Sequence, residues 1–162
     1  MAMPTKPVVM QRKTKPPYEL VCSTSFLLKR LGWAVKDRTF EAFEAVGESP
    51  YHHAVLAVLD ESARETQATI ADSLGYDRSY LVGLLDELEE AGHIERKRDP
   101  ADRRRHLVSL TPSGKEKLEE LRKISRRIDD DFLAGLDAKQ RKELHELLLT
   151  VARSHDPRYS SN

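Results

Sequence analysis

The reactive and charged side chains of this 162-residue chain are unevenly placed. Residues 95–106 hold Arg96, Lys97, Arg98, Arg103, Arg104 and Arg105 against three acids, and His106 ends the strip. Cations at that density suit phosphate, and a planar guanidinium also matches a guanine edge or a narrow groove. Asp99-Pro100 breaks the strip and turns the chain, which predicts a hairpin with bases at its tip. Cys22 is the only cysteine, so no internal disulfide can form; this fits a reducing cytoplasm and leaves a redox thiol as its possible chemistry. His52 and His53 are adjacent and His145 is remote, with no clustered Cys/His spacing, so no metal site is expected. His145-Glu146 opens like a zinc-protease motif, but Leu149 stands where its second histidine belongs. There is no nucleophile elbow, glycine-rich phosphate loop or dinucleotide fingerprint, so neither an enzyme nor a cofactor is expected.

The elements that must hold these groups follow from apolar spacing and caps. Residues 1–17 carry four bases, four prolines and no acid, and read as a flexible basic arm without the apolar stretch of a secretory signal. Apolar residues at Leu20, Leu27, Leu31, Ala34 and Val35 predict one long helix from Tyr18 to Val46. Ser49-Pro50 then fits a cap and first helical position, and a short helix follows through Val55, Val58 and Leu59. Thr66 caps a helix from Gln67 to Leu74 that stops at Gly75. Asp77 caps another, with Leu81, Leu84, Leu85 and Leu88 on one face and Gly92 as its stop. Period-two alternation in 94–98 and 107–111 predicts a two-stranded ribbon. Two further helices follow, one from Pro112 through Phe132 and one carrying Leu144, Leu147, Leu148 and Val151. No apolar run is long enough to span a bilayer.

This order of elements is mainly α with a small β wing: a winged helix-turn-helix with N- and C-terminal dimerisation helices. The expected divisions are a basic arm at 1–17, a dimerisation helix at 18–48, the DNA-binding domain at 49–112, dimerisation helices at 113–155 and a tail at 156–162. The outer helices carry apolar stripes that nothing else in the chain is large enough to cover, which predicts a homodimer. Net charge is zero, 27 Lys+Arg against 27 Asp+Glu, yet the sign is segregated. Residues 48–76 and 77–94 are each at −4, while 1–17 and 95–106 are at +4 and +3.

Residues 50–114 resemble the MarR family of transcriptional regulators. The resemblance rests on the apolar run from Ala54 to Leu59, Thr66-Gln67, Ile70-Ala71, Leu74-Gly75, Asp77 to Asp86, and Leu88 to Gly92. It is sharpest in the wing, where Asp102, Arg104, Val108, Leu110 and Thr111 match the family signature. The resemblance implies a sequence-specific double-stranded-DNA-binding regulator, a repressor, on a pseudo-palindromic operator with half-sites about 10 bp apart. The exposed face of the recognition helix would offer Arg78, Ser79 and Tyr80 to base edges or phosphates, with Gly83 where the family often has a larger polar residue. Thr66 and Gln67 would meet phosphate at a helix N-terminus. Asp102 and a neighbouring arginine would lock the wing turn, with Arg103 or Arg104 in the minor groove and Arg98 or Arg105 on phosphate.

The family resemblance also implies a crevice for a small aromatic or phenolic effector, for which Trp33, Tyr51, His52 and His53 are candidate walls and Arg30 or Arg38 a candidate carboxylate partner. Ala54 stands where the urate-sensing branch is acidic. The peroxide-sensing branch has its cysteine at the position of Ser25 here, and Thr39 and Pro50 replace the accompanying tyrosines. A redox regulator using Cys22 and a helical adaptor with a degenerate winged helix are the alternative readings.

Overall fold

The computed structural model describes residues 14–62 and 64–159. Most of the expected basic arm, and the last three residues of the expected tail, lie outside them. The chain divides into two compact units, Met1–Ala34 and Val35–Asn162. The element order is α1 (Tyr18–Val21), α2 (Thr24–Glu44), α3 (Pro50–Glu61), β1 (Glu65–Thr66), α4 (Gln67–Leu74), α5 (Arg78–Glu90), β2 (Ile94–Arg98), β3 (His106–Leu110), α6 (Pro112–Phe132) and α7 (Ala138–His155), with a closing 3-10 turn (Pro157–Tyr159). No helix among the described residues is long and apolar enough to cross a membrane.

The first unit holds α1 and the start of α2, and here the single long helix expected from Tyr18 is corrected. The helix breaks at Cys22 and Ser23, where the Ser23 Oγ accepts the Phe26 N–H at 3.3 Å and begins α2 as a cap. Leu20, Val21, Leu27, Leu28, Leu31 and Trp33 are all exposed in this unit.

The second unit contains the core. Phe43 of α2, Val55, Leu56 and Leu59 of α3, Ile70 and Ala71 of α4, and four leucines of α5 meet Ile94, Val108 and the α6 residues Leu118 and Leu121 in one cluster. Full burial of each such large aliphatic side chain stabilises the fold by roughly 1.5–3 kcal/mol. Caps set the helix starts as expected. Ser49 accepts the His52 N–H at 3.2 Å, and Thr66 and Asp77 cap α4 and α5. Gly75 ends α4 at φ 67°, a left-handed conformation that side chains with a Cβ rarely adopt. The Arg158 guanidinium of the 3-10 turn lies against Gly75, so the C-terminal segment reaches the turn between α4 and α5.

The expected two-stranded ribbon is a three-stranded antiparallel sheet in the order β1-β3-β2. Ile94 pairs with Leu110, Arg96 with Val108 and Arg98 with His106, while Glu65 and Thr66 pair with Val108 and Leu107. The hairpin is thereby joined to the start of α4. The root of the wing is fixed to α6 as well, since Thr111 donates its N–H to the His93 carbonyl (3.1 Å) and its hydroxyl to the Gly92 carbonyl (2.7 Å).

Candidate nucleic-acid interface

α5 presents two unlike faces. Leu81, Leu84, Leu85 and Leu88 are buried, while Arg78, Ser79, Tyr80, Val82 and Gly83 are exposed. The Asp77 Oδ1 accepts the N–H groups of Ser79 (2.9 Å) and Tyr80 (3.3 Å) and the Ser79 hydroxyl. That hydroxyl first, and then the two backbone donors, hold the Asp77 carboxyl below its ordinary range. The Tyr80 ring stands edge-on to Tyr51, with centroids 5.5 Å apart, and to Tyr76 at 6.0 Å. Tyr51 in turn packs against Tyr76 and against Phe40 of α2. Tyr80 nevertheless remains 45% exposed, so it is braced from within and open outside.

The wing turn is shaped by local bonds. Asp99 donates its N–H to the Arg105 carbonyl at 3.0 Å, and Arg105 returns its own N–H to the Asp102 carbonyl at 2.9 Å. The Asp102 carboxylate accepts the Arg104 N–H at 3.0 Å, and the Arg105 Nε lies 3.4 Å from it. Arg96 is withdrawn from the basic strip. Its backbone N–H and Nε donate to Glu89 at 3.1 and 2.8 Å, and its guanidinium meets Asp86 at 2.6 Å. Bonding to Glu89 first, and then to Asp86, raises the Arg96 pKa against the opposing effect of burial. Half of the acids of α5 are thus spent on a strand that would otherwise be more basic. Lys97 is likewise held by Glu95 at 2.7 Å. Among the described residues, the guanidinium groups of Arg78, Arg98, Arg103 and Arg104 pair with no acidic side chain.

Two adjoining grooves bring β1, α4, α5 and the wing together. One, of about 360 Å³, is lined by Thr66, Gln67 and Thr69 of β1 and α4 and by Arg104, Arg105 and His106 of the wing. The other, of about 180 Å³, lies between Gln67 of α4 and Arg78, Leu81 and Val82 of α5. Gln67 and Ala68 are common to both. Thr66 is engaged in a reciprocal cap with Thr69, whose hydroxyl also donates to Glu65.

The candidate effector residues fall in two places. Trp33 and Arg30 lie exposed in the first unit, with the Lys29 Nζ 4.9 Å above the Trp33 ring. Tyr51, His52 and His53 open α3 in the second unit. The His53 ring packs against Phe43, and burial, then the charge of Arg122, lowers its pKa. A groove of about 440 Å³ lies between the end of α2 and α6, lined by Arg38, Glu41, Ala42, Ala45, Ile128 and Asp131. Arg38 also stands over the Phe132 ring at 5.2 Å. Cys22 is exposed in the first unit. Sequence reasoning missed the tyrosine cluster, which joins residues from different elements. It expects the α5 acids to face away from phosphate or pair with basic neighbours, and the structure makes Arg96 that neighbour, clasped by Asp86 and Glu89. The adjacent acids on α5 and bases on β2 were the available signal for the clasp.

A helical unit carrying a short three-stranded wing, with an exposed helix following a tight left-handed turn, is a winged helix-turn-helix. The family model described as the MarR family matches residues 48–105. The transcriptional repressor CouR, in a structure bound to a 23-mer DNA duplex, is 32% identical and superposes with a TM-score of 0.76 over 86% of this chain and 100% of its own. CouR from Rhodococcus jostii RHA1 bound to p-coumaroyl-CoA is 29% identical, with a TM-score of 0.68 over 82% of this chain and 94% of that one. A putative transcriptional regulatory protein for the hcr operon of Thauera aromatica is 34% identical over 107 residues, 66% of this chain and 64% of its own length. The chain belongs to the MarR family of transcriptional regulators. Its matches span just under two thirds of the length of the curated relatives.

Proposed function

We propose that the protein is a homodimeric, sequence-specific DNA-binding repressor, not an enzyme, that works in the cytoplasm and leaves its operator on binding an aromatic effector. The observation that carries this reading is the convergence of Gln67, Arg78 and Arg104 on two adjoining grooves, with unpaired arginines at both ends. A helix N-terminus, a recognition helix and a wing presented side by side match one major groove and its flanking phosphates. Arg78 is the residue for guanine edges, Tyr80 and Ser79 read or brace beside it, and Thr66 and Gln67 take phosphate. Arg103 or Arg104 enters the minor groove, while Arg98 supplies phosphate contact; Arg105 joins it while supporting the turn with Asp102. The expected units serve this: residues 49–112 bind DNA, and 18–48 and 113–155 build the dimer. CouR, which has been seen with both DNA and a phenolic acyl thioester, supports an aromatic effector class that includes CoA thioesters.

Selection of bound sequences from randomised duplexes, followed by anisotropy titration across salt, tests the reading. The protein should enrich a pseudo-palindrome, with affinity falling steeply as salt rises. Arg103→Ala/Arg104→Ala should lose binding by about tenfold or more while unfolding at the same urea concentration, since minor-groove arginines carry both contact and charge. Retained affinity with an unchanged salt slope would remove the wing from the interface. No enrichment would favour a helical adaptor, and release by peroxide that depends on Cys22 would favour the redox reading.

A further inference from the structure

His52 is only 8% exposed, and a carboxylate sits on each of its ring nitrogens. Its Nδ1 is 2.8 Å from the Glu48 Oε2, and its Nε2 is 2.9 Å from the Glu87 Oε2. An ionised carboxylate can only accept hydrogen bonds, so both contacts attract only if both ring nitrogens carry protons. A neutral ring has one N–H. With that proton on Nε2, the Nδ1 lone pair faces the oxygens of Glu48 and is left the Ser49 N–H as its donor, at 3.3 Å. With the proton on Nδ1, Glu87 loses its donor instead. The Glu48 side chain is 8% exposed and that of Glu87 66%, so the single proton of a neutral ring is needed most on Nδ1, where Glu48 has little water to replace it. The Nε2 lone pair then faces the Glu87 carboxylate, which water can serve, and that contact is the one lost with the charge.

The contact on Nε2 crosses to the recognition helix. Glu87 lies on the helix that opens with Arg78, Ser79 and Tyr80, whereas Glu48 and Ser49 belong to the start of α3. Leucines hold α5 from its buried side, and the His52–Glu87 pair ties down its outer side. We infer that His52, as an imidazolium, is a positioning residue for DNA binding that anchors α5 to the start of α3 through Glu87, so that DNA affinity falls when His52 loses its proton. This rests on the DNA-binding reading above.

The surroundings favour the charged ring at neutral pH. The bond to Glu48 raises the His52 pKa above its ordinary value, burial opposes it, and Glu87 adds to the rise. Burial would lift the Glu48 carboxyl, but His52, His93 and Lys117 together hold it below its usual range. The groups facing the ring are therefore Glu48 ahead of α3, Glu87 and Glu90 on α5, His93 at the root of β2 and Lys117 on α6. The His93 ring reaches the other oxygen of Glu48 at 3.4 Å and bonds Ser113 at 3.2 Å, so its only bond to α5 is from the backbone, whose N–H donates to the Leu88 carbonyl at 2.9 Å and does not titrate.

The test uses the full-length protein and its selected duplex at constant ionic strength from about pH 6 to pH 8.5, the range in which histidines titrate. Wild-type affinity should fall about fivefold across that range, the lower end of typical couplings between sites. His52→Gln and Glu87→Gln should flatten the profile, while His93→Gln should keep it; His106, which lines the wing groove, is the competing titratable group. A profile unchanged in the first pair, or abolished by His106→Gln alone, overturns the proposal. Hydrogen exchange of the α5 amides without DNA, paired with an NMR titration of the His52 ring, gives an independent readout. Protection of the α5 amides, taken relative to base-catalysed intrinsic exchange at each pH, that drops as His52 deprotonates supports the anchor, and protection indifferent to it refutes the anchor. If wild type binds no duplex at any pH, the DNA-binding reading fails, and the exchange data alone decide the role of His52.

Discussion

Single residues do double duty in this protein, and the cost of losing them depends on pH. The folded-state pKa of His52 is raised, so its contribution to stability is fully present below the ordinary value of 6.5 and is lost as pH rises through the raised value. Glu48 has the opposite sign. Its lowered pKa stabilises the fold above 4.5, and that contribution disappears as pH falls through the lowered value. Together they stabilise most between those two limits. The gap in urea midpoint between wild type and His52→Gln should therefore be widest near pH 6 and narrow in mildly alkaline solution. An equal gap at both would mean that His52 contributes packing alone. Such pairings lie beyond sequence reasoning, because His52 and Glu87 are 35 residues apart and each reads as an ordinary polar residue. The caps at Ser49, Thr66 and Asp77 were legible, because a cap and the N–H donors it accepts from lie within three residues of one another.

At the scale of elements, the start of α6 is the tightest joint. Gly114 lies so close to the His93 carbonyl that a Cβ there would overlap backbone, and backbone cannot step aside as a side-chain tip can. Thr111 caps the same turn by accepting the Gly114 N–H at 3.0 Å. Gly114→Ala should destabilise the protein by about 1–3 kcal/mol, the usual cost of overpacking, and Ser113→Ala by less. A Gly114→Ala variant with the wild-type urea midpoint would show that the joint is loose. Helices α3 to α7 were legible because each pairs a cap with apolar spacing. The third strand was not. Glu65 and Thr66 are too few to show alternation and are extended only because β3 offers them partners more than forty residues away. The break at Cys22 carries no proline or glycine, and its one local signal was Ser23, three residues ahead of the N–H it caps.

For the molecule as a whole, equal totals of acid and base conceal a sorting. The clasp of Arg96 by Asp86 and Glu89 cancels charge behind the recognition helix, while Arg98, Arg103 and Arg104 keep theirs at the wing. Segment-by-segment charge made the wing legible, but only the structure separates its spent arginines from its available ones. On α7, Leu147 is 66% exposed, with Leu148 and Val151 also open, an apolar face that the proposed dimer would cover. Leu147→Glu/Val151→Glu should yield monomers by sedimentation at micromolar concentration and weaken operator binding by at least tenfold, since two half-sites are then no longer held together. A dimer that survives both changes would place the interface elsewhere. The wing turn has a consequence of another kind. Its shaping bonds begin and end within residues 99–105, so the tip is self-supporting and does not borrow its form from the helices beneath. A tip built in this way is interchangeable: loops from related chains should graft between Arg98 and His106 without disturbing the body, and on the proposed reading such grafts should change which duplexes the protein selects.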